Sequence, residues 1–296
     1  LKTGLQWEKQ ISDKLSLDTY AFYAHRDFVG RLPFGFGGYV ELKRNYYGLG
    51  SALEFKPKNN HRMQFRFSLA DQKDHRKRFR NEGGSPGDNT LDQEELFFNT
   101  AFSFLDELKL DSGILRLGLR YDNQRLGTQQ ESDKVYLNTL NPSLGFTYTE
   151  LGSHVMFISY STSFETPTLN ELSANPSGGP GFNPDIDPSK AHNFELGWRF
   201  TSPENKLEAT LYTIKTQNEI LPYELENFPD RDFYRNIGKT TRMGIELFWE
   251  HQKGPWEWTL SYNYASLKFD NYILGDNDPV SYTHLRAHET VLDLVC

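Results

Sequence analysis

Short and long connections take turns along this chain, and each joins two segments in which apolar and polar residues alternate. In "WEWTLSYNYA", Trp256, Trp258, Leu260, Tyr262 and Tyr264 share one side, opposite Glu257, Thr259, Ser261 and Asn263. "FELGWRF" sets Phe194, Leu196, Trp198 and Phe200 against Glu195, Gly197 and Arg199. "ILRLGLRYD" and "MQFRFSLA" repeat the scheme. Period two is the pattern of a strand with one apolar and one polar face. About twelve such strands precede residue 271, each of roughly 10 to 16 residues. The short connections "QISD", "KPKNN", "LDELK", "ELGS", "TSPEN" and "HQKG" are rich in the residues that tight hairpins use. The long ones lie around 28–38, 71–91, 123–134, 165–189 and 218–238.

In an up-and-down antiparallel meander every second connection emerges at the same end. One end then carries tight turns and the other all the long loops, as in a transmembrane β-barrel of the outer-membrane kind. The strands exceed the roughly 9–11 residues that cross a bilayer at a tilt, so the excess projects beyond it. The aromatics Tyr46, Tyr47, Phe97, Phe98, Trp249, Trp256 and Trp258 fall near strand ends, where interfacial girdles are expected. The polar face carries Gln64, Arg66, Arg116, Arg120, Asp122, Glu195, Arg199, Glu208, Glu246 and Glu257. Facing lipid, each Arg would cost about 2–4 kcal/mol near the midplane, so this face belongs to a wet or plugged interior. A soluble sandwich fits less well, because its strands are shorter and its loops do not alternate this way.

Composition narrows the rest. The 296 residues are 37% hydrophobic and 15% aromatic, with a mean hydropathy of -0.67. Such a chain folds, yet it holds no run of about 18 apolar residues that would make a transmembrane helix. The net charge of -8 opposes a nucleic-acid partner. The one cysteine, Cys296, is terminal, so no disulfide framework or thiolate metal site is expected. The histidines are scattered, and neither HExxH nor Gly-x-Ser-x-Gly occurs, so neither a protein-bound metal or cofactor nor an enzyme is expected. "NPDIDPSK" and "GDNDP" lack the spacing and closing Glu of an EF-hand.

Several segments together resemble the β-barrel of TonB-dependent outer-membrane receptors. "SFETPTLNELSA" with "GFNPDIDPSKAHNFELGWR" is similar to that family's Ser-Phe-x-x-Pro strand end, its Asn-Pro-x-Leu-x-Pro loop and its Glu-x-Gly strand. Ile186 stands where Leu is usual. "YRNIGKTTRMGIELFWE" resembles its Tyr-x-Asn-x-Gly and Arg-x-Gly-x-Glu element, and "LRLGLRYD", "LNPSLGFTY" and "RNEGG…LDQEE" follow the same order. The resemblance covers roughly residues 1 to 275. It implies a wall of about 22 strands, of which about twelve would be here, an N-terminal plug, and a TonB box served by the TonB-ExbB-ExbD complex. It further implies active uptake of a ferric siderophore, with cobalamin, haem or an oligosaccharide as alternatives for the same machinery; a passive porin is the rival reading of such a barrel. The full-length receptor would be a monomer in outer-membrane lipid and lipopolysaccharide, truncated here at both ends.

Ligand contacts are expected from two loops. "HRDFVGRLPFGFGG" offers Arg26, Arg31, Phe34 and Phe36, suited to a flat, charged chelate. "DQKDHRKRFRNEGG" offers His75, Arg76, Arg78 and Arg80, which would steer an anionic chelate or meet lipopolysaccharide phosphates. Residues 280–290, "VSYTHLRAHET", resemble one frame of a transposase sequencing adapter translated as coding sequence. The barrel domain is therefore drawn as 1–279, and 280–296 as an artefact; a short helical tail with Leu285, Leu292 and Val295 on one face is the alternative.

Overall fold

The computed structural model describes residues 1–33, 35, 37–129, 133–183 and 185–272. Phe34, Phe36 and the segment 280–296 lie outside the described residues. Strands β1 (Lys2–Ser12), β2 (Leu15–Arg31), β3 (Tyr39–Lys58), β4 (His61–Glu82), β5 (Ser85–Leu110), β6 (Gly113–Thr128) and β7 (Val135–Leu151) follow one another as antiparallel neighbours. The same wall continues through β8 (His154–Glu165), β9 (Ser189–Thr201), β10 (Asn205–Gln217), β13 (Gly238–Lys253) and β14 (Trp256–Tyr272). The result is a 12-stranded up-and-down sheet, as the sequence pattern predicts. Two further strands, β11 (Ile220–Leu225) and β12 (Phe228–Asn236), form a hairpin of their own inside the connection from β10 to β13. No described helix is long and apolar enough to cross a membrane.

The tight turns gather at one end, at 13–14, 59–60, 111–112, 152–153, 202–204 and 254–255. Gly152 and Gly254 adopt the left-handed backbone (φ 65° and 59°) that such turns need. One expected turn moves: "LDELK" is strand, and the chain reverses after it at Asp111 and Ser112. The opposite end differs more from expectation. Residues 71–91 are not a long loop but the tips of β4 and β5, strands of 22 and 26 residues that reverse at Gly83 and Gly84. Backbone pairing continues there well past the span a bilayer needs.

Register sorts the side chains into rows. Ile158, Leu196, Leu211, Ile245 and Tyr264 stand side by side across five strands, and Leu211 keeps 52% of its surface exposed. The adjacent row, Phe157, Gly197, Thr210, Glu246 and Asn263, points the other way. Trp256, Trp258, Leu260 and Tyr262 are exposed on the first face. Large apolar side chains thus face outward along the wall, while Asp74, Glu95, Asp122 and Gln124 are buried on the inner side. This inverted polarity is the arrangement that a hydrocarbon solvent requires.

On the inner face, aromatic rings occupy the space that glycines of the neighbouring strand leave open. A Cβ at Gly50 would come within 2.6 Å of the Tyr20 ring, and one at Gly197 would overlap Phe157. The expected girdle is only partly outward. Tyr47, Trp249, Trp256 and Trp258 are exposed on the outer face. Tyr46 instead faces inward, its ring centroid 4.9 Å from that of Phe22, and Phe97 packs on a buried core at the loop-bearing mouth. Above the bilayer the inner face is filled by protein, so aromatics there have a dry side to occupy.

Candidate functional site at the loop-bearing mouth

The described core is not in the wall but at this mouth. Leu126 at the end of β6 packs with Leu169, Leu172, Phe182 and Ile186 from the connection 166–188, and Phe97, Val135, Leu137, Ile220 and Tyr234 close around them. A four-residue helix, α1 (Leu169–Leu172), supplies two of these leucines. Its start is fixed by a capping box, in which the Thr168 hydroxyl accepts from the Glu171 N–H and the Glu171 carboxylate accepts from the Thr168 N–H. The two loop motifs clasp each other. Asn183 donates to the Tyr234 carbonyl, and Asn236 donates to the carbonyls of Asp187 and Asn218 while accepting from the Asp187 N–H.

Beneath this lid the inner faces of β2 to β6 carry a ladder of ions. Arg26, Arg44, Asp74, Glu95 and Thr128 stand in one row. Arg44 grips Asp74 with two hydrogen bonds of 2.8 and 2.6 Å, and Gln72 adds a third at 3.1 Å. Glu95, with 0% of its surface exposed, accepts from Arg76 at 2.8 Å and from Gln93 at 2.9 Å. Gln93 in turn accepts from the Gly181 N–H at 3.1 Å, and Thr166 donates to Gln124 at 2.6 Å. Strand tips and loop are thereby tied by groups whose burial alone would be costly and whose pairing offsets part of that cost, Glu95 Oε2 being buried without a hydrogen-bond partner.

Arg76 and Arg78 then open onto a cleft of about 360 Å³, lined also by Phe28, Asn170, Arg231 and Tyr234, with Asp232 as its carboxylate. Arg231 lies over the rings of Phe228 and Phe233, 5.7 and 4.8 Å from their centroids, so the β11–β12 hairpin is its platform. Burial, together with the charges of Arg76 and Arg231, pushes the Arg78 guanidinium down to about 10. Burial likewise lowers Arg231, and burial followed by the charge of Asp232 raises the Tyr234 phenol. A concave site with several cations and two aromatic surfaces suits an anionic, partly flat guest.

Of the residues expected to contact ligand, the fold brings Arg76 and Arg78 together. Alternation turns His75 to the outer surface, where it bonds Asp92 at 2.6 Å beside Lys77. Arg26 is on the inner row with its guanidinium 4.8 Å from the Phe28 ring, outside the cleft lining. Arg31 and Arg80 are exposed and apart from it. Asn170, Arg231 and Tyr234 carry no motif that marks them as ligand contacts in the sequence. The alternation of "RDFYR" within a long connection was the one signal available for the last two. Among the described residues no group of three or more His, Cys, Asp or Glu is placed to hold a metal ion.

The sequence profile of the family described as "TonB dependent receptor-like, beta-barrel" matches residues 1–287. The chain belongs to the TonB-dependent receptor family. The 12-stranded sheet of its described residues is wall of an outer-membrane β-barrel. Solved structures share the fold at low identity. The copper transporter OprC superposes with a TM-score of 0.73 at 15% identity, over 90% of this chain and 46% of that one. The siderophore receptor PiuA from Acinetobacter baumannii gives 0.69 at 16%, over 98% and 48%. The ferric citrate transporter FecA in its unliganded form gives 0.70 at 18%, over 91% and 42%. The chain therefore spans less than half the length of each of these three proteins.

Proposed function

We propose that the protein to which this chain belongs takes up a metal chelate across the bacterial outer membrane, with a ferric siderophore as first candidate and TonB as the source of work. Membership of the TonB-dependent receptor family supports the coupling. The observation that carries the reading is the difference between the two ends of the wall. One end is closed by two- and three-residue turns, and the other folds its long connections into a cationic, aromatic-lined cleft. In this reading external loops bind the chelate, and TonB acting on a plug changes its affinity so that it is released inward. No covalent chemistry is involved. A passive, open pore accords less well with a mouth in which Leu126, Leu169, Leu172, Phe182 and Ile186 form a buried core.

The test is uptake of radiolabelled iron chelates by cells carrying or lacking the full-length gene, in TonB-positive and TonB-negative backgrounds. Uptake that requires both gene and TonB supports the reading. Diffusive uptake indifferent to TonB supports a porin and overturns it.

A further inference from the structure

Two guanidinium groups of β4 converge on one uncharged oxygen. Asn170 Oδ1 accepts from Arg76 Nη1 at 3.3 Å and from Arg78 Nη2 at 3.0 Å. The two arginines are not equivalent. Arg76 already has Glu95 at 2.8 Å on its Nε. Arg78 forms no ion pair among the described residues; its hydrogen bond is the one to Asn170, and its Nε is buried without a hydrogen-bond partner. Around this point the cleft presents Arg231 and Tyr234 from the hairpin, Phe28 from the tip of β2, and Asp232. Glu171, next in sequence, is turned away to the Thr168 N–H at 2.7 Å. Arg76, Arg78 and Arg231 all line this cleft, with Asp232 beside them and Glu95 paired to Arg76.

An amide oxygen carries only part of a charge. A carboxylate or phosphoryl oxygen at the same point would make charge-assisted bonds, about twice as strong as neutral ones, and guanidinium geometry favours such a partner. Asn170 also provides the polar attachment of α1 to β4 seen among the described residues, because it is the acceptor for both arginines. Whatever replaces its oxygen detaches the helix on that side.

We infer that Asn170 Oδ1 occupies the seat of a ligand oxyanion: a chelate carrying a free carboxylate or phosphoryl group displaces Asn170 from Arg76 and Arg78 and, in doing so, loosens α1 from the wall. This rests on the transport reading above and narrows it to anionic chelates. An uncharged chelate offers only neutral oxygens, which gain no charge assistance over the amide they would have to displace. The ligand and the asparagine are therefore rivals, and the rivalry can be read from substitutions at residue 170.

The experiment uses the full-length receptor purified in detergent, with ferric citrate, citrate alone, inorganic phosphate and an uncharged ferric trihydroxamate as probes in titration calorimetry. Asn170→Asp places a built-in carboxylate in the seat and is expected to weaken ferric citrate binding tenfold or more. Asn170→Ala removes the rival and is expected to leave binding unchanged or tighten it several-fold. Arg78→Gln is expected to weaken it tenfold or more and to flatten its dependence on salt. Citrate and phosphate report whether the organic acid or any small oxyanion competes. Ferric citrate bound equally by wild type and Asn170→Asp, or lost in Asn170→Ala but kept in Arg78→Gln, overturns the inference. So does tighter binding of the uncharged chelate than of the anionic ones by the wild type. Heat-modifiable migration of each variant shows that its barrel is intact. Failure of the transport reading appears separately, as uptake that ignores TonB for every chelate offered to cells.

Discussion

The wall and the mouth use the same apolar residues in opposite ways. Leu211 in the wall, within the row Ile158, Leu196, Ile245 and Tyr264, projects outward and is half exposed. Leu126 in the mouth, at the end of β6, points inward and is buried against α1, Phe182 and Ile186. The ions are arranged conversely. Glu246 of the wall stands on the open inner face, while Asp74 and Glu95 of the mouth are sealed among arginines. The contrast teaches that burial is set by what lies on each side of the sheet. Where lipid is outside, hydrophobicity points out. Where water is outside and protein inside, the ordinary rule returns.

The largest expected effect concerns the wall as a whole. Among the described strands β1 pairs only with β2 and β14 only with β13, which leaves two edges of unpaired backbone groups. Such edges are not tolerated in lipid and template association in water. Residues 1–279 produced alone are therefore expected to aggregate, as sedimentation in detergent would show. A monodisperse, heat-modifiable species would mean that the wall does not need neighbours on both sides.

Next in size is the mouth. Glu95→Ala leaves the buried Arg76 without its carboxylate, and loss of one partner of a buried pair costs about 3–5 kcal/mol. In the full-length protein this should expose 166–188 to protease while leaving the membrane-embedded wall resistant. Glu95→Gln, which keeps an acceptor for Arg76, should do less. If both substitutions instead unfold the wall, mouth and wall are one cooperative unit and the comparison fails.

The wall is tested by Leu211→Arg, expected to cost about 2–4 kcal/mol if the position is near the bilayer midplane. The reading is the yield of folded, heat-modifiable protein on refolding into vesicles of increasing thickness. The same yield for Leu211→Arg as for wild type would mean that this row does not meet hydrocarbon.

The smallest effect is on the outer side of the β4–β5 tips. Hydrogen bonds first from His75 and then from Lys77 hold the Asp92 carboxyl below the usual carboxylate range. A depressed acid contributes its stabilisation above its ordinary titration range and loses it as pH falls through the lowered value. The pair is exposed and screened, so Asp92→Asn should cost under about 1 kcal/mol. Thermal unfolding of the two proteins should converge in acid and separate slightly at neutral pH. A large neutral-pH difference would place this side in a drier setting than the mouth comparison allows.

Much of this was legible in the sequence because the bilayer imposes one rule on every strand. The alternation of "FELGWRF" and "WEWTLSYNYA", with Gly, Pro and Asn between strands, gave the order and the tight-turn end. The tips of β4 and β5 were not legible. In "DQKDHRKRFR" both faces are polar, one meeting water and the other an ionic lattice, so no apolar period marks the strand. The cleft was half legible for the same reason. Arg76 and Arg78 were visible as charge, but which neighbours of a charged run turn inward depends on register, and register there is fixed by hydrogen bonding to β3 and β5. Arg231 and Asn170 belong to connections whose fold is decided by the core of Leu126, Leu172 and Phe182, which comes from segments far apart in the chain.

The glycines that lie beside Tyr20, Phe157 and Tyr212 on the inner face have a bearing on the width of the barrel. Because each ring reaches into the space of a neighbour's missing side chain, part of its bulk is taken up by the wall. A wall lined in this way keeps its internal width while still having aromatic residues to stiffen it.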